Sequence, residues 1–573
     1  MEQRVSRWIW ITILGIALLL RVAALGQSPL APDEAASAVA SLDAARGDGW
    51  PATTTSPLLL SGNALLFALL GGGTGIARWI PALAGTLLVC IPYLWRRHLG
   101  EVEAAVASGM LALSPLVWFA SRRVDGTTAA TLGAMLLLSC LLLGDGSQES
   151  SPRTRSVLLV AGIAIGLTGG PAFYDVLLPG VAAYGFYLWM QRRSLRTLPS
   201  KESGRSAGIG LLIAILIGAA FGLRWSGWNG LAEGLAAWLR SWQPAAESGP
   251  ESWLALTIYE PVTLVLAVLG VGLTFRSRRP LLLALALWVA AGVLLIGIRP
   301  AARATDLVAI SVPLALLAGE TAGELFSTSR EVRPWMGLHA LLAGLCWVPV
   351  LLTATQFAAG TLAVSPWLMG IGAVALLALQ VLLAILLTLV ISPKWVWRGA
   401  LLGILTIVGV IQLGFGLSLA FVRSGTPTEP AVNAAGSADL VFLQEMLDDL
   451  AVQRGQRRDS LTIALVDREA DRSALLRWAL RDFHGLAVVK DWPTAAPQVV
   501  IIPADAGDEE QPTGVWVGRA FVAAIYYPDR IPLCPPESPR LCREIVAWYL
   551  YREVPVALNL AKVNVWVAAP SQP

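Results

Sequence analysis

Charge is what this chain has least of. Lys, Arg, Asp and Glu together make up 14% of its 573 residues, whereas a soluble globular protein carries about a quarter. That scarcity excludes an ordinary soluble domain. Histidine is rarer still: His98, His339 and His484 are scattered and fit no metal-ligand spacing. Cysteine is sparse and uneven. Cys90, Cys140 and Cys346 sit in apolar runs as filler, and Cys534 and Cys542 lie in a polar region, where they pair if that region is extracytoplasmic. No Lys/Arg-rich run is interleaved with aromatics, so no nucleic-acid surface is expected. There is no internal repeat.

What the chain has instead is apolar length. Hydrophobic residues are 55% of the total, and windows of about 20 apolar residues recur, the length that crosses a bilayer. Hydropathy places spans at 8–25, 75–95, 102–120, 126–144, 156–171, 174–191, 207–223, 253–275, 280–298, 305–322, 336–357, 366–392 and 399–421. The expected fold class is mainly α: a polytopic membrane bundle of about thirteen spans, with a C-terminal extracytoplasmic α/β domain. The first apolar run is too long for a signal peptide and ends without a clean cleavage site, so it reads as an uncleaved first span.

Basic residues give orientation. With Arg4 and Arg7 in the cytoplasm, the turns on that side carry Arg96/Arg97, Arg153/Arg155, Arg192/Arg193, Arg276/Arg278/Arg279, Arg330/Arg333 and Lys394/Arg398, as the positive-inside rule requires. The opposite side receives the 26–74 loop, with two amphipathic segments at about 33–46 and 56–71, and everything after 421. The chain divides into a membrane domain at 1–423, a Pro/Gly/Ala linker at 424–438 and an extracytoplasmic domain at 439–573. In the last, "LTIALVD", "LAVVKDW" and "PQVVIIPA" read as strands, and "EADRSALLRWALRDF" as an amphipathic helix. The Trp-rich stretch "RWSGWNGLAEGLAAWLRSW" (224–242) reads as interfacial, with sugar stacking as the alternative.

The charges that break the basic-inside pattern are the candidates for chemistry. Arg122, Arg123, Arg299 and Arg303 stand at the outer ends of spans. Arginine beside lipid is costly unless paired or used, and its planar fork suits phosphate oxygens. Acids share that face: Asp33 and Glu34 after the first span, Asp125 in "SRRVDG", and Asp306. A carboxylate near a phosphate can serve as general base on a hydroxyl, or can hold a divalent cation. Helix capping is the other explanation for Asp33, since Pro32-Asp33-Glu34 is a good helix start.

These residues occur in an ordered series. The first span ends in Arg21, and Asp33-Glu34 opens the next helix. Pro57-Leu58 follows, then Gly-x5-Arg-Trp-x-Pro-Ala-Leu-x-Gly ending at Gly85. "LALSP" (111–115), "SRRVD" (121–125) and "RPAARATDLVAISVPLALLAG" (299–319) complete it. The series resembles the polytopic glycosyltransferases of the C-type fold, within them the protein O-mannosyltransferase and lipid A aminoarabinose transferase group. It is good over about residues 1–145 and thins beyond.

The resemblance implies a membrane enzyme of the cell envelope. It would take a sugar from a polyprenyl-phosphate donor on the outer face of the cytoplasmic membrane. The sugar would pass to an acceptor hydroxyl on a glycan, lipid or protein. It implies Asp33 as catalytic base with Glu34 supporting, Asp125 as second carboxylate, and Arg122, Arg123, Arg299 or Arg303 neutralising the leaving phosphate. It leaves a divalent cation open and names no metal ligand. Relatives place a charged or His residue before the Pro-Leu pair, where this chain has Ser56 in "TTTSPLLL". That departure keeps a second reading in play, a non-catalytic scaffold or partner subunit with the same fold. A transporter would put ionisable residues mid-span or in broken helices, whereas most charges here read as span-end.

Overall fold

The computed structural model describes the chain except for residues 1–4, 145–150, 193–200, 244–250, 327–331, 361–365, 391, 468–469, 491–496, 505–514, 527–538, 554–557 and 570–573. Helix α1 (Arg7–Val22) is followed by α2 (Pro32–Arg46) and α3 (Pro57–Leu70). Next come α4 (Trp79–Leu88), α5 (Ile91–Leu99), α6 (Glu101–Leu113), α7 (Pro115–Ser121), α8 (Thr127–Leu143), α9 (Pro152–Gly169), α10 (Ala172–Met190) and α11 (Lys201–Gly218). Then α12 (Asn229–Arg240), α13 (Glu251–Tyr259), α14 (Pro261–Ser277), α15 (Pro280–Ile298), α16 (Val308–Phe326), α17 (Arg333–Ala358), α18 (Pro366–Thr388) and α19 (Pro393–Leu417) close the helical part. The chain is a multi-pass membrane protein with a C-terminal sheet domain.

The expected count of about thirteen spans is not confirmed. Among the described residues, six helices are long and apolar enough to cross a membrane, or up to eight if each of two bent pairs is one span. The rest fall short for visible reasons. Helix α1 has 16 residues and α8 has 17, below the usual spanning length. Helices α9 and α11 have 18 residues each but open on charged residues, Arg153 and Arg155 in one and Lys201, Glu202 and Arg205 in the other. A side chain on Gly133 of α8 would come within 2.3 Å of the Gly166 backbone of α9, so these helices meet backbone to backbone.

Two helices read as continuous in the sequence are broken. The axis bends by 57° between α6 and α7, and by 96° between α13 and α14. In both, Pro begins the second half, as Pro115 and Pro261. Proline is pre-set for a first helical turn, but it disfavours helix in the residue before it. Ionisable side chains stand at these breaks: Glu260 at the second and Arg21 beside the first, both buried. Glu260, inside the stretch read as one span at 253–275, departs from the expectation that most charges stay at span ends, whereas Arg21 is at the end of α1.

The C-terminal domain is a six-stranded mixed sheet in the order β1-β5-β6-β4-β2-β3. Its strands are β1 (Ala434–Gly436), β2 (Ile463–Val466), β3 (Leu486–Val489), β4 (Val499–Pro503), β5 (Trp516–Tyr526) and β6 (Asn559–Ala568). Helices α20 (Asp439–Gln453), α21 (Ala470–Ala479) and α22 (Pro539–Tyr551) accompany it. Strands β3, β2 and β4 pair in parallel, and β4, β6, β5 and β1 antiparallel. The fully buried β2 and β4 are the continuous apolar runs that a strand covered on both faces needs. The 424–438 segment is more than a connector. It supplies β1 and buries Glu429, whose Oε2 accepts from Arg552 Nε at 2.8 Å and from the Tyr259 hydroxyl. Cys534 and the Cys542 side chain lie outside the described residues.

The sheet domain and the 26–74 loop share one hydrophobic core. Ala35, Ala38, Val39 and Leu42 of α2 and Phe67 of α3 pack with Leu475, Trp478 and Leu480 around α21. The amphipathic reading of 33–46 is therefore incomplete. Helix α2 buries residues on more than one side because α3 and α21 both pack on it. Trp478 Nε1 donates to Thr74 Oγ1 at 3.2 Å, and Arg481 Nε donates to the Gly72 carbonyl at 2.8 Å. Arg477 pairs with Asp43 at 2.8 Å, but both side chains are partly exposed. Arg477→Ala is therefore expected to cost at most about 1 kcal/mol. A heat-unfolding midpoint in detergent close to that of the parent checks it.

Candidate active site

The site begins at the first turn of α2. Pro32 takes the first helical position and Asp33 and Glu34 follow, where the backbone amides favour acids. The two neighbours then have different fates. Glu34 turns inward. Its Oε1 accepts from Arg78 Nε at 3.2 Å and from the Val124 amide at 2.7 Å. Its Oε2 accepts from Arg78 Nη2 at 3.0 Å and from the Ala31 amide at 2.9 Å. Ala31 has no side-chain acceptor, so only the Glu34 half of a capping box exists. Arg78 also donates to the carbonyls of Leu25, Ser28 and Pro29. This buried node ties the first loop to the start of α4 and to the 122–126 turn. Burial pushes the Glu34 carboxyl up, and the Arg78 charge, with Arg123, more than reverses it, so it lies below its ordinary value.

Asp33 stays at the surface, with its side chain 45% exposed. Oδ1 accepts from Arg123 Nη2 at 2.8 Å and from the Glu34 amide at 3.0 Å. Oδ2 lies 3.5 Å from Arg303 Nη1. Desolvation pushes the Asp33 carboxyl up, but the charges of Arg123 and Arg303 outweigh it and hold it below the usual carboxylate value. Asp125 is shifted the other way. Burial raises it, and its hydrogen bonds from Thr127 and the Arg123 charge only partly offset that.

The four arginines separate by partner. Arg123 lies between Asp33 and Asp125, and the carboxylates around it hold its charge firmly. Arg303 is the open one, 63% exposed. Arg299 is buried, with Nη1 donating to Asp175 Oδ1 and Oδ2 at 2.6 and 2.7 Å and Nη2 to Asp306. Arg122 points elsewhere, donating to the carbonyls of Leu20, Arg21, Ala23 and Ala24. It closes the C-terminal end of α1 and lies over the Phe421 ring. Asp33, Arg123 and Arg303 thus come together, with Asp125, Asp306 and Arg299 beside them. Glu34 and Arg122 are occupied in holding backbone.

Two site residues had no role in the sequence reading. Asp175, in the first turn of α10, anchors Arg299 and accepts from Trp238 Nε1 at 2.8 Å, which links the Trp-rich stretch to the site. Its signal was a lone acid in an apolar run, itself a mark of function. Arg78 stood in the Arg-Trp motif with no partner named. Among the described residues, no three His, Cys, Asp or Glu side chains group to hold a metal ion. Each acid here answers to an arginine or to backbone.

No family model and no curated protein matches the sequence. Solved structures do. The crystal structure of ArnT from Cupriavidus metallidurans bound to undecaprenyl phosphate is 17% identical with a TM-score of 0.54, over 87% of this chain and 94% of that one. The same protein in its apo state gives 17% and 0.55, over 99% of each chain. The likeness is one of architecture along the whole length: this chain has the C-type polytopic glycosyltransferase fold.

Proposed function

We propose that the protein transfers a sugar from a polyprenyl-phosphate donor to an acceptor hydroxyl at the outer face of the cytoplasmic membrane. In this reading the N-terminus is cytoplasmic and the sheet domain lies outside. The observation that carries it is the meeting of Asp33, Arg123 and Arg303 from three distant segments, with the carboxylate and Arg303 both open to solvent. An open carboxylate beside an open guanidinium suits a reaction that gains a proton on one side and negative charge on the other. The fold shared with an ArnT structure that holds undecaprenyl phosphate supports the donor class.

The chemistry balances on side chains alone. Asp33 accepts the proton of the acceptor hydroxyl as its oxygen forms a bond to the anomeric carbon. The bond from that carbon to the phosphate oxygen breaks, and polyprenyl phosphate leaves with the electron pair. Arg303, with Arg123, meets the charge that develops. Asp125 is the second carboxylate near the acceptor or phosphate, Glu34 fixes the loop that carries Asp33, and Arg299 holds the 299–306 turn.

A second reading is a scaffold subunit that keeps the fold without the reaction. It is favoured by the fact that each candidate acid has a partner, Asp33 included. One assay separates them. Purified protein and Asp33→Asn receive radiolabelled polyprenyl-phosphate sugars and native membrane extract. Transfer by the parent alone supports the enzyme, and equal, saturable donor binding without transfer by either supports the scaffold.

A further inference from the structure

The two helix breaks lie against each other, and hydrogen bonds from a carboxyl group and a guanidinium group stitch them. At the first, α6 ends at Leu113 and α7 starts at Pro115. Glu260, the corner residue of the second break, reaches across. Its Oε1 accepts from the Ser114 hydroxyl and from the Leu116 amide at 3.4 Å, and its Oε2 accepts from Thr263 Oγ1 at 3.0 Å. Arg21 of α1 serves the other side of the same break. It donates to the carbonyls of Leu111 at 3.0 Å and Ala112 at 3.4 Å, the end of α6 that a break leaves without intrahelical partners. Both side chains are buried, so neither is held there by solvent. The corner is also fixed from behind, because Tyr259 donates its hydroxyl to the buried Glu429.

What this stitching aims is α7. The seven residues of that helix form a lever of about 10 Å, and the residues after its tip are Arg122, Arg123, Val124 and Asp125. A tilt of about 10° at Ser114 would move the tip by about 2 Å, enough to part Arg123 from Asp33. We propose that Glu260 and Arg21 are positioning residues for the site. By accepting and donating at the α6–α7 break they set the angle at which α7 presents Arg123 and Asp125. The effect on transfer rests on the function proposed above, but the effect on α7 does not.

The test uses the full chain in lipid nanodiscs. Glu260→Gln keeps a carbonyl acceptor for Ser114 and Leu116, whereas Glu260→Ala leaves both donors buried without one. Glu260→Ala is expected to raise hydrogen–deuterium exchange across residues 115–126 and to lower kcat about 10- to 100-fold with little change in KM for the donor. Glu260→Gln is expected to restore most of both. Exchange in Glu260→Ala equal to the parent overturns the proposal, as does a Gln variant as defective as Ala, which would make the charge itself the requirement. If Glu260→Ala does not fold, Arg21→Lys keeps charge and loses the fork. It is expected to raise exchange over 111–123, and unchanged exchange there overturns the proposal. If the parent transfers no sugar, the function reading fails and the exchange arm alone decides this one.

Discussion

Asp33→Asn is expected to lower sugar transfer by about 10²- to 10⁴-fold, the range a general base contributes, while donor binding and folding stay close to the parent. Asparagine fills the same space and its carbonyl can still accept from Arg123. It cannot take a proton from a hydroxyl. The acid limb of the rate gives a second check. Desolvation raises the Asp33 carboxyl, and Arg123 and Arg303 bring it below the ordinary value. The ionised form therefore persists through neutral and mildly acid pH, and the rate falls only as pH drops through that lowered value. Arg123→Gln removes the main opposing charge and leaves the desolvation, so its acid limb is expected to move to higher pH. A pH profile of kcat/KM on purified protein reads the direction. An Asn variant that keeps more than a tenth of the parent rate would remove Asp33 from the base role. Asp125, whose carboxyl is shifted upward, would then be the next residue to change. Neighbouring carboxyls pushed apart in this way are the usual arrangement where two acids do different work.

Arg78→Ala is expected to destabilise the protein by about 3–5 kcal/mol, the cost of leaving one member of a buried pair uncompensated. The Arg78 and Glu34 side chains are 5% and 3% exposed, so solvent cannot take over the charge. The same change frees the Leu25, Ser28 and Pro29 carbonyls, which loosens the turn into α2. Arg78→Met combined with Glu34→Gln is expected to cost less than the sum of the two single changes, since the partners share one network. The pH dependence has a definite sign. The Glu34 carboxyl is lowered in the fold, so its contribution is complete above the unfolded value of about 4.3. It is lost as pH falls through the folded value. Heat-unfolding midpoints in detergent across that range check both statements. Equal midpoints for Arg78→Ala and the parent would show that the node does not hold the loop.

Some of this was legible in residues alone. Helix α2 starts where Pro32, Asp33 and Glu34 dictate, and α3 where Pro57 does. Strands β2, β3 and β4 and helix α21 fall on the runs whose period announced them. Which of two adjacent side chains turns inward was not legible. Asp33 and Glu34 are both acids in one helical turn, and successive helical residues point about 100° apart. Only the position of Arg78 makes Glu34 the inward one. Arg122 and Arg123 divide in the same way, one onto the carbonyls of α1 and one onto Asp33. Glu260 was hidden because a single acid barely lowers the hydropathy of a long apolar window, although Pro261 marked a helix start.

By itself, then, the sequence determined what local physics controls: an apolar chain that must cross a membrane, helix starts set by proline and acids, and strands set by apolar runs. Tertiary structure decided what depends on residues far apart in the chain. It bent two spans, joined the sheet domain to the first loop in one core, and chose partners for each charge. The physical reason is that a buried polar or charged group takes its meaning from what pairs or hydrogen-bonds with it. Those neighbours, Arg78 for Glu34, Asp175 for Arg299 and Ser114 for Glu260, become neighbours only when the chain is folded.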